Sequence, residues 1–360
     1  MKTEYNFSFG NCISRVLICD ELPPVREFVD SPALIVCDTN TEVLARKITS
    51  GDATHILVLD SGEQTKNWES VNKILKAGFD AGLGRDGFFI GVGGGMIGDI
   101  VAFAASIYGR GANLCLYSTT LLGMVDASIG GKTGIDAFGV KNLAGTFYPA
   151  GLVLMPLSAL DSLPEREWRS GMAELIKTAI LDSDEFFELV KSLIDLENSG
   201  RNSPAYRECL AECISRTIAF KGRIVERDPR DTKNERIFLN LGHTFAHALE
   251  AAAGLGVLSH GEAVAWGIVR ACELGVALGI TPVGRAKEIL RLLTSYGYET
   301  SAPHPLMKSD EVFMGFLKAD KKFENGKFKF IVPGKKKAQA VSVENILINQ
   351  IINGECSFVP

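Results

Sequence analysis

The sequence predicts an α/β amino-terminal domain built on a parallel sheet, followed by a mainly α-helical carboxy-terminal domain. Between about residues 33 and 155, short apolar runs alternate with helical stretches. After Pro156, apolar residues recur at helical spacing and the strand signal almost vanishes. The chain has 360 residues, 46% of them apolar, which is enough to bury the cores of two domains. We therefore predict an α/β domain over residues 1–160 and a mainly helical domain over residues 161–360.

Five strands are predicted for the amino-terminal sheet. Each is apolar on both faces, which is typical of parallel strands that are covered by helices on both sides. They lie at residues 33–37, 55–59, 88–92, 114–117 and 152–155. The stretches between them have helical character, as crossover connections between parallel strands require.

The carboxy-terminal half is predicted to be a succession of amphipathic helices. They cover residues 164–181, 184–197, 204–226, 240–253, 260–278, 283–296 and 309–319. A short strand pair at residues 328–332 and 339–341 is predicted near the end of the chain. The sequence contains no internal repeat and no low-complexity segment.

Composition excludes several classes of partner. The net charge is −5, and the one conspicuous cationic run, residues 335–337, follows Pro333-Gly334 and indicates a solvated turn, so we expect no nucleic-acid partner. The eight cysteines include no Cys-x-x-Cys pair, which indicates a reducing compartment. No apolar signal core opens the chain, and the most apolar helix is interrupted by Arg270 and Glu273. We expect a cytoplasmic protein with no membrane partner.

Three of the chain's five histidines lie at two neighbouring predicted helix starts. His243 and His247 are four residues apart and share one helix face, and His260 opens the next helix. Imidazoles gathered in this way favour zinc or a similar divalent ion, which needs a further protein ligand. Glu174, on an otherwise apolar helix, is the best candidate for that ligand. The alternative is that backbone carbonyls satisfy these histidines on the helix face.

A glycine cluster follows the predicted strand 88–92. Residues 93–99, GGGMIGD, precede a helical pattern, which is the strand–turn–helix setting of a nucleotide-binding turn. The ribose-binding acid expected about 20 residues later is missing, because Asp126 comes too late in the chain. Asp38, at the end of an earlier strand, is placed to serve instead. The pattern predicts a non-standard, Rossmann-like dinucleotide site, and a tight glycine turn without a ligand is the alternative.

A third block combines hydroxyls, a carboxylate, glycines and lysines. Residues 119–134, TTLLGMVDASIGGKTG, include Lys132 and are followed by Lys141-Asn142. Ammonium groups bind phosphate as point charges, and glycines allow the backbone to approach a ligand closely. The block is not a Walker A loop, because Asp126 stands where that loop requires its first glycine. It predicts a site for a polyanionic substrate.

The ordered set of motifs resembles the 3-dehydroquinate synthase family of sugar-phosphate cyclases over nearly the whole chain. Residues 61–66, SGEQTK, are similar to the family's Asp-Gly-Glu-x-x-Lys. The other similar segments, in the family's order, are residues 93–99, 119–133, 141–142, 173–177, 240–247, 260–263 and 320–322. Ser61 and Thr65 depart from the family's usual Asp and Tyr. Both positions concern the adenosine end of the cofactor, so they put cofactor affinity in question and leave the chemistry untouched.

The resemblance implies that NAD is a cofactor. The family's Asp-x-Asn pair, matched here by Asp38 and Asn40, supplies the ribose ligand. The other NAD-binding positions that the resemblance implies are Glu63, Lys66, Gly94, Gly95, Met96, Ile97, Asp99, Thr119, Thr120, Asp126, Lys132, Lys141 and Ser162.

The resemblance also implies a divalent metal, Zn²⁺ or Co²⁺, held by Glu174, His243 and His260. It assigns His247 to the substrate site, which corrects the metal role suggested by the helical spacing of His247 and His243. The substrate-binding positions that it implies are Lys132, Asn142, Lys177, Lys221, Arg236, Asn240, His247 and one of Lys321 or Lys322. Arg110 is implied to reach into a neighbouring subunit, and a homodimer follows from that.

The activity implied is conversion of 3-deoxy-D-arabino-heptulosonate 7-phosphate to 3-dehydroquinate and phosphate, a lyase step of the shikimate pathway. In the family's scheme NAD oxidises a metal-bound hydroxyl, phosphate is eliminated, and the hydride then returns to the same carbon. Cyclases that form deoxy-inosose or valiolone rings are the nearest alternative, although Lys221, Arg236, Asn240 and His247 keep the 3-dehydroquinate synthase pattern. Iron-dependent alcohol and glycerol dehydrogenases are more remote. A non-catalytic NAD- or zinc-binding regulator would be expected to have lost some of the lysines.

Overall fold

The fold is described from a computed structural model that covers residues 2–49, 55–254, 256–319, 323–324 and 327–358. The chain forms two compact units. The first unit contains Met1–Trp168 and Ile214–Lys233, and the second contains Arg169–Cys213 and Asn234–Pro360. The predicted single boundary at residue 160 stays a prediction. In the structure, the first unit also includes the later segment Ile214–Lys233.

A seven-stranded sheet lies at the centre of the first unit. The strands of this unit are β1 (Lys2–Phe9), β2 (Cys12–Cys19), β3 (Ala33–Asp38), β4 (His55–Leu59), β5 (Phe88–Gly93), β6 (Asn113–Ser118), the hairpin strands β7 (Ile135–Ala137) and β8 (Val140–Ala144), and β9 (Leu152–Pro156). The order in the large sheet is β1-β2-β9-β6-β5-β3-β4. Only β1 and β2 pair antiparallel in it. The predicted parallel sheet and its five strands are confirmed.

Three helices accompany this sheet: α1 (Glu42–Ile48), α2 (Trp68–Asp80) and α3 (Gly95–Ile107). The interior of the sheet is apolar, and Ile35, Ile90 and Leu154 from three different strands are fully buried. Burial on both faces explains why β3, β5 and β9 have continuous apolar sequences.

The β1–β2 hairpin was not predicted. The rings of Tyr5, Phe7 and Phe9 stack along one face of β1, with centroids 5.8 and 5.7 Å apart. Gly222 lies directly against the Phe7 ring, where any side chain would overlap it. The strand therefore buries alternate residues only, and such a strand lacks the continuous apolar run that identified the others.

The second unit is mainly helical, as predicted. The other α-helices that the structure describes are α4 (Glu165–Asp182), α5 (Asp184–Glu197), α6 (Pro204–Arg227), α7 (His243–Ala253), α8 (His260–Ala277), α9 (Val283–Ser295), α10 (Asp310–Ala319) and α11 (Asn345–Ile352). From Ile214 onward, α6 belongs to the first unit. A three-stranded sheet contains β10 (Phe323–Glu324), β11 (Lys327–Val332) and β12 (Gln339–Val343). The seven predicted helices and the strand pair are confirmed, whereas α11 was not predicted.

Helix α8 runs through the core of the second unit. It begins with a capping box, in which Ser259 and Glu262 satisfy each other's backbone N–H groups. Its only charged residues after the first turn, Arg270 and Glu273, form a buried ion pair with Nε and Oε2 2.7 Å apart. Among the described residues, no helix is long and apolar enough to cross a membrane.

Two glycines allow α7 and α8 to pack closely. Gly242 precedes α7 in the left-handed conformation, with φ of 79°. A Cβ on Gly267 of α8 would overlap the Gly242 carbonyl oxygen and lie 3.2 Å from the Ala246 nitrogen. Backbone on both sides of this contact cannot move aside as a flexible side chain could, so the distance between the two helices depends on Gly267.

We predict that Gly267→Ala lowers the free energy of unfolding by about 1–3 kcal/mol, because the added methyl group overpacks the α7–α8 contact. Gly315→Ala on α10 is the matched control, since no atom lies within 4 Å of a Cβ built there. The control should gain up to about 1 kcal/mol from the higher helix propensity of alanine. Urea denaturation followed by circular dichroism measures both values, and a similar effect of the two substitutions would contradict the packing argument.

Candidate functional site

The glycine turn forms the start of helix α3. Gly94 precedes α3, and no side chain caps the first N–H groups of that helix. A Cβ on Gly94 would lie 2.8 Å from the Thr120 methyl group, so only glycine fits. The backbone N–H groups at the start of α3, including those of Met96 and Ile97, are placed to bind a phosphate group.

Asp38 lies beside this turn. Strands β3 and β5 are parallel neighbours with Cys37 opposite Val92, so Asp38 and Gly93 end at the same edge of the sheet. Asp38 Oδ1 accepts hydrogen bonds from the N–H groups of Asn40 and Thr41, at 3.0 and 2.9 Å, and from the Thr41 hydroxyl at 2.8 Å. These hydrogen bonds fix the carboxylate at the same edge of the sheet as the glycine turn.

Thr119 adds an unsatisfied hydroxyl at the same edge. Its backbone N–H donates to the Gly93 carbonyl at 3.0 Å. Its Oγ1 is buried and has no hydrogen-bond partner within the described part of the chain. A buried hydroxyl without a partner costs about 1–3 kcal/mol, so a polar group of a ligand would be well placed there.

Lys66 is hydrogen-bonded to both a predicted cofactor residue and a predicted substrate residue. Its buried ammonium contacts Asp99 Oδ2 at 2.6 Å and Asn142 Oδ1 at 2.5 Å. Burial lowers the pKa of Lys66, but Asp99 and other carboxylates raise it above its usual value. Asn142 has a left-handed φ of 52°, and the carboxylate of Asp136 accepts its backbone N–H at 2.8 Å. The β7–β8 hairpin thereby holds Asn142 against Lys66.

Two further lysines of the first unit are paired with aspartates. Lys221 Nζ contacts Asp126 Oδ1 at 2.8 Å and the Asp126 carbonyl at 2.5 Å. Lys132 Nζ contacts Asp231 Oδ2 at 2.5 Å. Lys221 is nearly buried, with 9% of its side chain exposed, whereas Lys132 is 57% exposed.

Glu174, His243 and His260 converge in the second unit. One ligand atom from each lies within 4.8 Å of the other two, a spacing that suits a shared metal ion. Glu174 comes from the middle of α4, and the two histidines are the first residues of α7 and α8. Gly261 lies directly against the Ser170 backbone, which brings the start of α8 onto α4.

The donor atoms of this cluster fit a cation. His243 Nδ1 lies 3.2 Å from the Leu241 carbonyl, which can only accept, so Nδ1 carries the proton and Nε2 presents its lone pair. Glu174 Oε1 lies 3.4 Å from His243 Nε2 and 3.3 Å from His260 Nε2, and within the described residues it has no hydrogen-bond partner. A carboxylate oxygen that faces the His243 lone pair favours a positive charge between them, and two imidazoles with one carboxylate suit Zn²⁺ or Co²⁺.

Neighbouring charges strengthen this preference for a cation. Burial raises the pKa of Glu174, but the Lys177 ammonium and His260 outweigh it and lower the pKa to about 2. Burial lowers the pKa of His260, but the carboxylates of Glu174 and Glu250 raise it to about 10. Glu250 Oε2 lies 3.7 Å from His260 Nδ1. Glu174 therefore stays ionised, and both carboxylates favour a positive charge at His260.

The other predicted site residues of the second unit are near the metal cluster in sequence. The His247 ring lies 5.5 Å from that of His243 and is exposed, and it is not part of the cluster. Arg236 is buried in the 3₁₀ helix Glu235–Asn240, which ends at the partly buried Asn240. The helix predicted to begin at residue 240 begins at His243, because Gly242 interrupts it. Lys321 and Lys322 lie outside the described residues.

Arg110 lies apart from the other predicted site residues of the first unit. It precedes β6, whereas Thr119 and Thr120 follow that strand, so Arg110 is at the opposite edge of the sheet from the glycine turn. It has a left-handed φ of 70° and is exposed. Asn40, Glu63, Lys141 and Ser162 are exposed as well.

Four carboxylates around these sites were not identified from the sequence. Glu250 is seven residues after His243, and this two-turn spacing on α7 was a usable signal. Asp136 follows the lysine block closely but matches no motif. Asp231 contacts a lysine 99 residues away, and Asp228 holds the loop that carries Asp231, so neither had a local signal.

Comparisons with known proteins show the family of this chain. Residues 56–170 match the profile of the 3-dehydroquinate synthase N-terminal family, and residues 171–323 match that of the 3-dehydroquinate synthase C-terminal family. A 3-dehydroquinate synthase of Prochlorococcus marinus strain NATL2A is 41% identical over 278 residues, which cover 77% of this chain and 74% of the relative. One from Acidithiobacillus ferrooxidans strain ATCC 53993 is 38% identical over 307 residues, 84% of this chain and 82% of that one.

Solved structures show the same fold. A 2-deoxy-scyllo-inosose synthase complexed with carbaglucose-6-phosphate, NAD⁺ and Co²⁺ is 24% identical, with a TM-score of 0.84 over 98% of this chain and 100% of that one. A 2-epi-5-epi-valiolone synthase from Streptomyces hygroscopicus with NAD⁺ and Zn²⁺ bound is 25% identical, with a TM-score of 0.78 over 93% and 94% of the two chains. The fold is thus that of the sugar-phosphate cyclases. Within this class, the chain belongs to the 3-dehydroquinate synthase family.

We predict that His260→Ala nearly abolishes retention of a divalent metal, because the remaining two side chains cannot enclose the ion. The purified wild type should retain about one Zn²⁺ or Co²⁺ per chain after dialysis, and the variant should bind at least about tenfold more weakly. His55→Ala, an exposed histidine at the start of β4, is the matched control and should keep its metal. Full metal occupancy of His260→Ala by elemental analysis would remove this residue from the site.

Proposed function

We propose that this protein is a 3-dehydroquinate synthase, converting 3-deoxy-D-arabino-heptulosonate 7-phosphate to 3-dehydroquinate and phosphate in the shikimate pathway. The observation that carries the proposal is the cluster of buried Glu174 with partly buried His243 and His260, in a chain about 40% identical to 3-dehydroquinate synthases over most of its length. Relatives of the same fold bind NAD⁺ with Co²⁺ or Zn²⁺. NAD and a divalent cation are the cofactors we assign to this chain.

The first unit would bind NAD at the carboxyl edge of its sheet. The start of α3, with Gly94, Gly95, Met96 and Ile97, would hold the pyrophosphate through backbone N–H groups. Asp38 would accept the hydrogen bonds of a ribose, with Asn40 beside it. The remaining residues that we assign to the cofactor are Glu63, Lys66, Asp99, Thr119, Thr120, Asp126, Lys132, Lys141 and Ser162. The buried Thr119 hydroxyl, which has no hydrogen-bond partner in the described part of the chain, supports this assignment.

The second unit would hold the metal through Glu174, His243 and His260. When bound, NAD supplies a reversible hydride acceptor and the metal polarises a substrate hydroxyl, which lowers its pKa. Lys177 keeps Glu174 ionised and places an ammonium beside the cluster. His247 is exposed next to His243, so it can exchange protons with substrate or solvent, and Asn240 can position a water or a hydroxyl group.

Anion recognition falls to the basic side chains. We assign Lys132, Asn142 and Lys221 of the first unit, together with Lys177 and Arg236 of the second, to the phosphate and carboxylate of the substrate. One of Lys321 or Lys322 is proposed to join them. These side chains would orient the substrate and stabilise its negative charges. Phosphate would leave once the neighbouring C–H has been acidified.

We also propose a homodimer in a cytoplasmic setting. Arg110 lies at the sheet edge away from the glycine turn, so a role in another subunit's site is compatible with its position. All eight cysteines lie within the described residues and none of them forms a disulfide there, which supports a reducing compartment. Sedimentation velocity on the purified chain tests the dimer directly.

The second candidate function is a cyclase acting on a sugar phosphate without a carboxylate. The structural likeness to a 2-deoxy-scyllo-inosose synthase favours it, but 24% identity carries the fold alone. Arg236 favours the carboxylate substrate, because the planar guanidinium can hold a carboxylate through two parallel hydrogen bonds.

We predict that the protein releases phosphate and 3-dehydroquinate from the heptulosonate phosphate with catalytic NAD. Oxidation and reduction occur at the same carbon within one turnover, so no steady NADH absorbance should build up. A coupled phosphate assay and absorbance at the NADH band measure the two quantities together. Stoichiometric NADH formation would instead identify a dehydrogenase, and turnover of glucose 6-phosphate would identify the second candidate.

We predict that Arg236→Lys lowers kcat/KM for the heptulosonate phosphate by about 30-fold or more, since lysine cannot replace a bidentate guanidinium–carboxylate contact. Metal content and NAD binding should stay near those of the wild type. Arg46→Lys is the matched control, because Arg46 makes only an exposed i,i+4 ion pair with Glu42 among its described contacts. Unchanged turnover in Arg236→Lys would place carboxylate recognition elsewhere.

A further inference from the structure

The pairing of Lys132 with Asp231 differs from the other lysine–carboxylate pairs of the first unit. Lys66 and Lys221 are nearly buried, with 5% and 9% of their side chains exposed, and breaking either pair would leave a buried ammonium without its partner. Lys132 is 57% exposed. Solvent can stabilise its ammonium during an exchange of partners, so of these three lysines it is the one that can readily pass from a carboxylate to an incoming anion.

The backbone on the lysine side of the pair is fixed. Lys132 forms a bridge with Phe147, and the Thr133 N–H donates to the Thr146 carbonyl at 3.0 Å. Gly131 lies so close to Pro149 that a Cβ would approach the proline nitrogen to 2.7 Å. Lys132 also lines the same cleft as Gly94, Gly95 and Asp99. Its ammonium is therefore presented from a rigid base at the edge of the predicted nucleotide site.

The loop on the aspartate side is fixed as well. Asp228 is fully buried, and its two carboxylate oxygens accept the N–H groups of Thr232 at 2.8 Å and Lys233 at 3.1 Å. Asp231, between these anchors, has a left-handed φ of 53°, which is uncommon for a residue other than glycine. A loop held in this way delivers one carboxylate to Lys132 at a defined position.

We propose that Asp231 is an internal counter-ion that competes with the substrate's phosphate for Lys132 and thereby weakens the binding of anions to this lysine. The inference rests on the proposed function, in which Lys132 binds a substrate anion. A phosphate monoester carries a charge of about −1.5 to −2 at pH 7 and offers three acceptor oxygens, so it displaces a single carboxylate. A monocarboxylate has no such advantage over Asp231. After elimination, the returning carboxylate also favours release of inorganic phosphate.

The test measures binding of inorganic phosphate and of acetate to the purified full chain, with its metal and NAD, by calorimetry at low ionic strength. Asp231→Asn removes the charge, and asparagine tolerates the left-handed backbone. We expect phosphate affinity to rise roughly two- to fivefold, as loss of a partly exposed ion pair allows. Acetate affinity should rise by no more than this factor, because an internal competitor weakens the binding of every anion to Lys132 and repels a singly charged anion less than a doubly charged one.

Two further variants isolate the contact. Asp80→Asn removes an exposed ion pair with Lys76 of similar length, 2.7 Å, and should leave both affinities unchanged. In a Lys132→Gln background, Asp231→Asn should produce no gain, because the lysine for which the anions compete is gone. An unchanged phosphate affinity in Asp231→Asn, the same gain with and without Lys132, or no phosphate binding by the wild type would each overturn the proposal.

The dehydroquinate assay on the wild type separates this inference from the proposed function. A gain in phosphate affinity that depends on Lys132, in a protein that forms no dehydroquinate, would leave the counter-ion in place and defeat the proposed reaction. Dehydroquinate formation without any effect of Asp231→Asn on anion binding would do the reverse.

Discussion

The second unit is organised around one electrostatic constraint: a fully buried carboxylate that faces two imidazole nitrogens. Glu174 is 1% exposed, and its Oε1 is opposite the Nε2 atoms of His243 and His260. An isolated ionised carboxylate in such a place would be strongly unfavourable, so the site is stable only with compensating positive charge. Lys177 supplies part of that charge. The close packing at Gly261 and Gly267 is what brings three helices near enough to share it.

Much of the fold could be predicted because burial on two faces leaves a continuous apolar sequence. Strands β3, β5 and β9 were found in this way, and the glycine turn followed from its place between β5 and α3. Strand β1 was not predicted because Tyr5, Phe7 and Phe9 alternate with polar residues. Helix α11 was not predicted because a short apolar run has no local feature that distinguishes a helix from a strand. Its buried residues are Ile348, Ile351 and Ile352.

The metal cluster was only partly predictable from spacing. Two histidines four residues apart suggest a shared ligand face, yet the cluster joins His243 to His260, because each is the first residue of its helix and those two helix starts meet on α4. The Asp38 position could be predicted, since parallel strands end at one edge of a sheet. The aspartate partners of the lysines could not be predicted. Lys221 is 95 residues from Asp126, and Asp231 is 99 residues from Lys132, so each pair meets only through tertiary packing.

All three candidate metal ligands belong to the second unit, whose core is completed late in synthesis. The core against which α7 and α8 pack includes Phe328, Phe330 and Ile351, which follow His260 in the chain. From Glu174 to the end of α11 at Ile352 the ribosome must add 178 residues, which takes roughly 10–35 s at typical rates of elongation. By then the strands of the parallel sheet and the glycine turn have left the exit tunnel of the ribosome. We therefore expect the metal to bind late in synthesis, after the strands of the parallel sheet have been made.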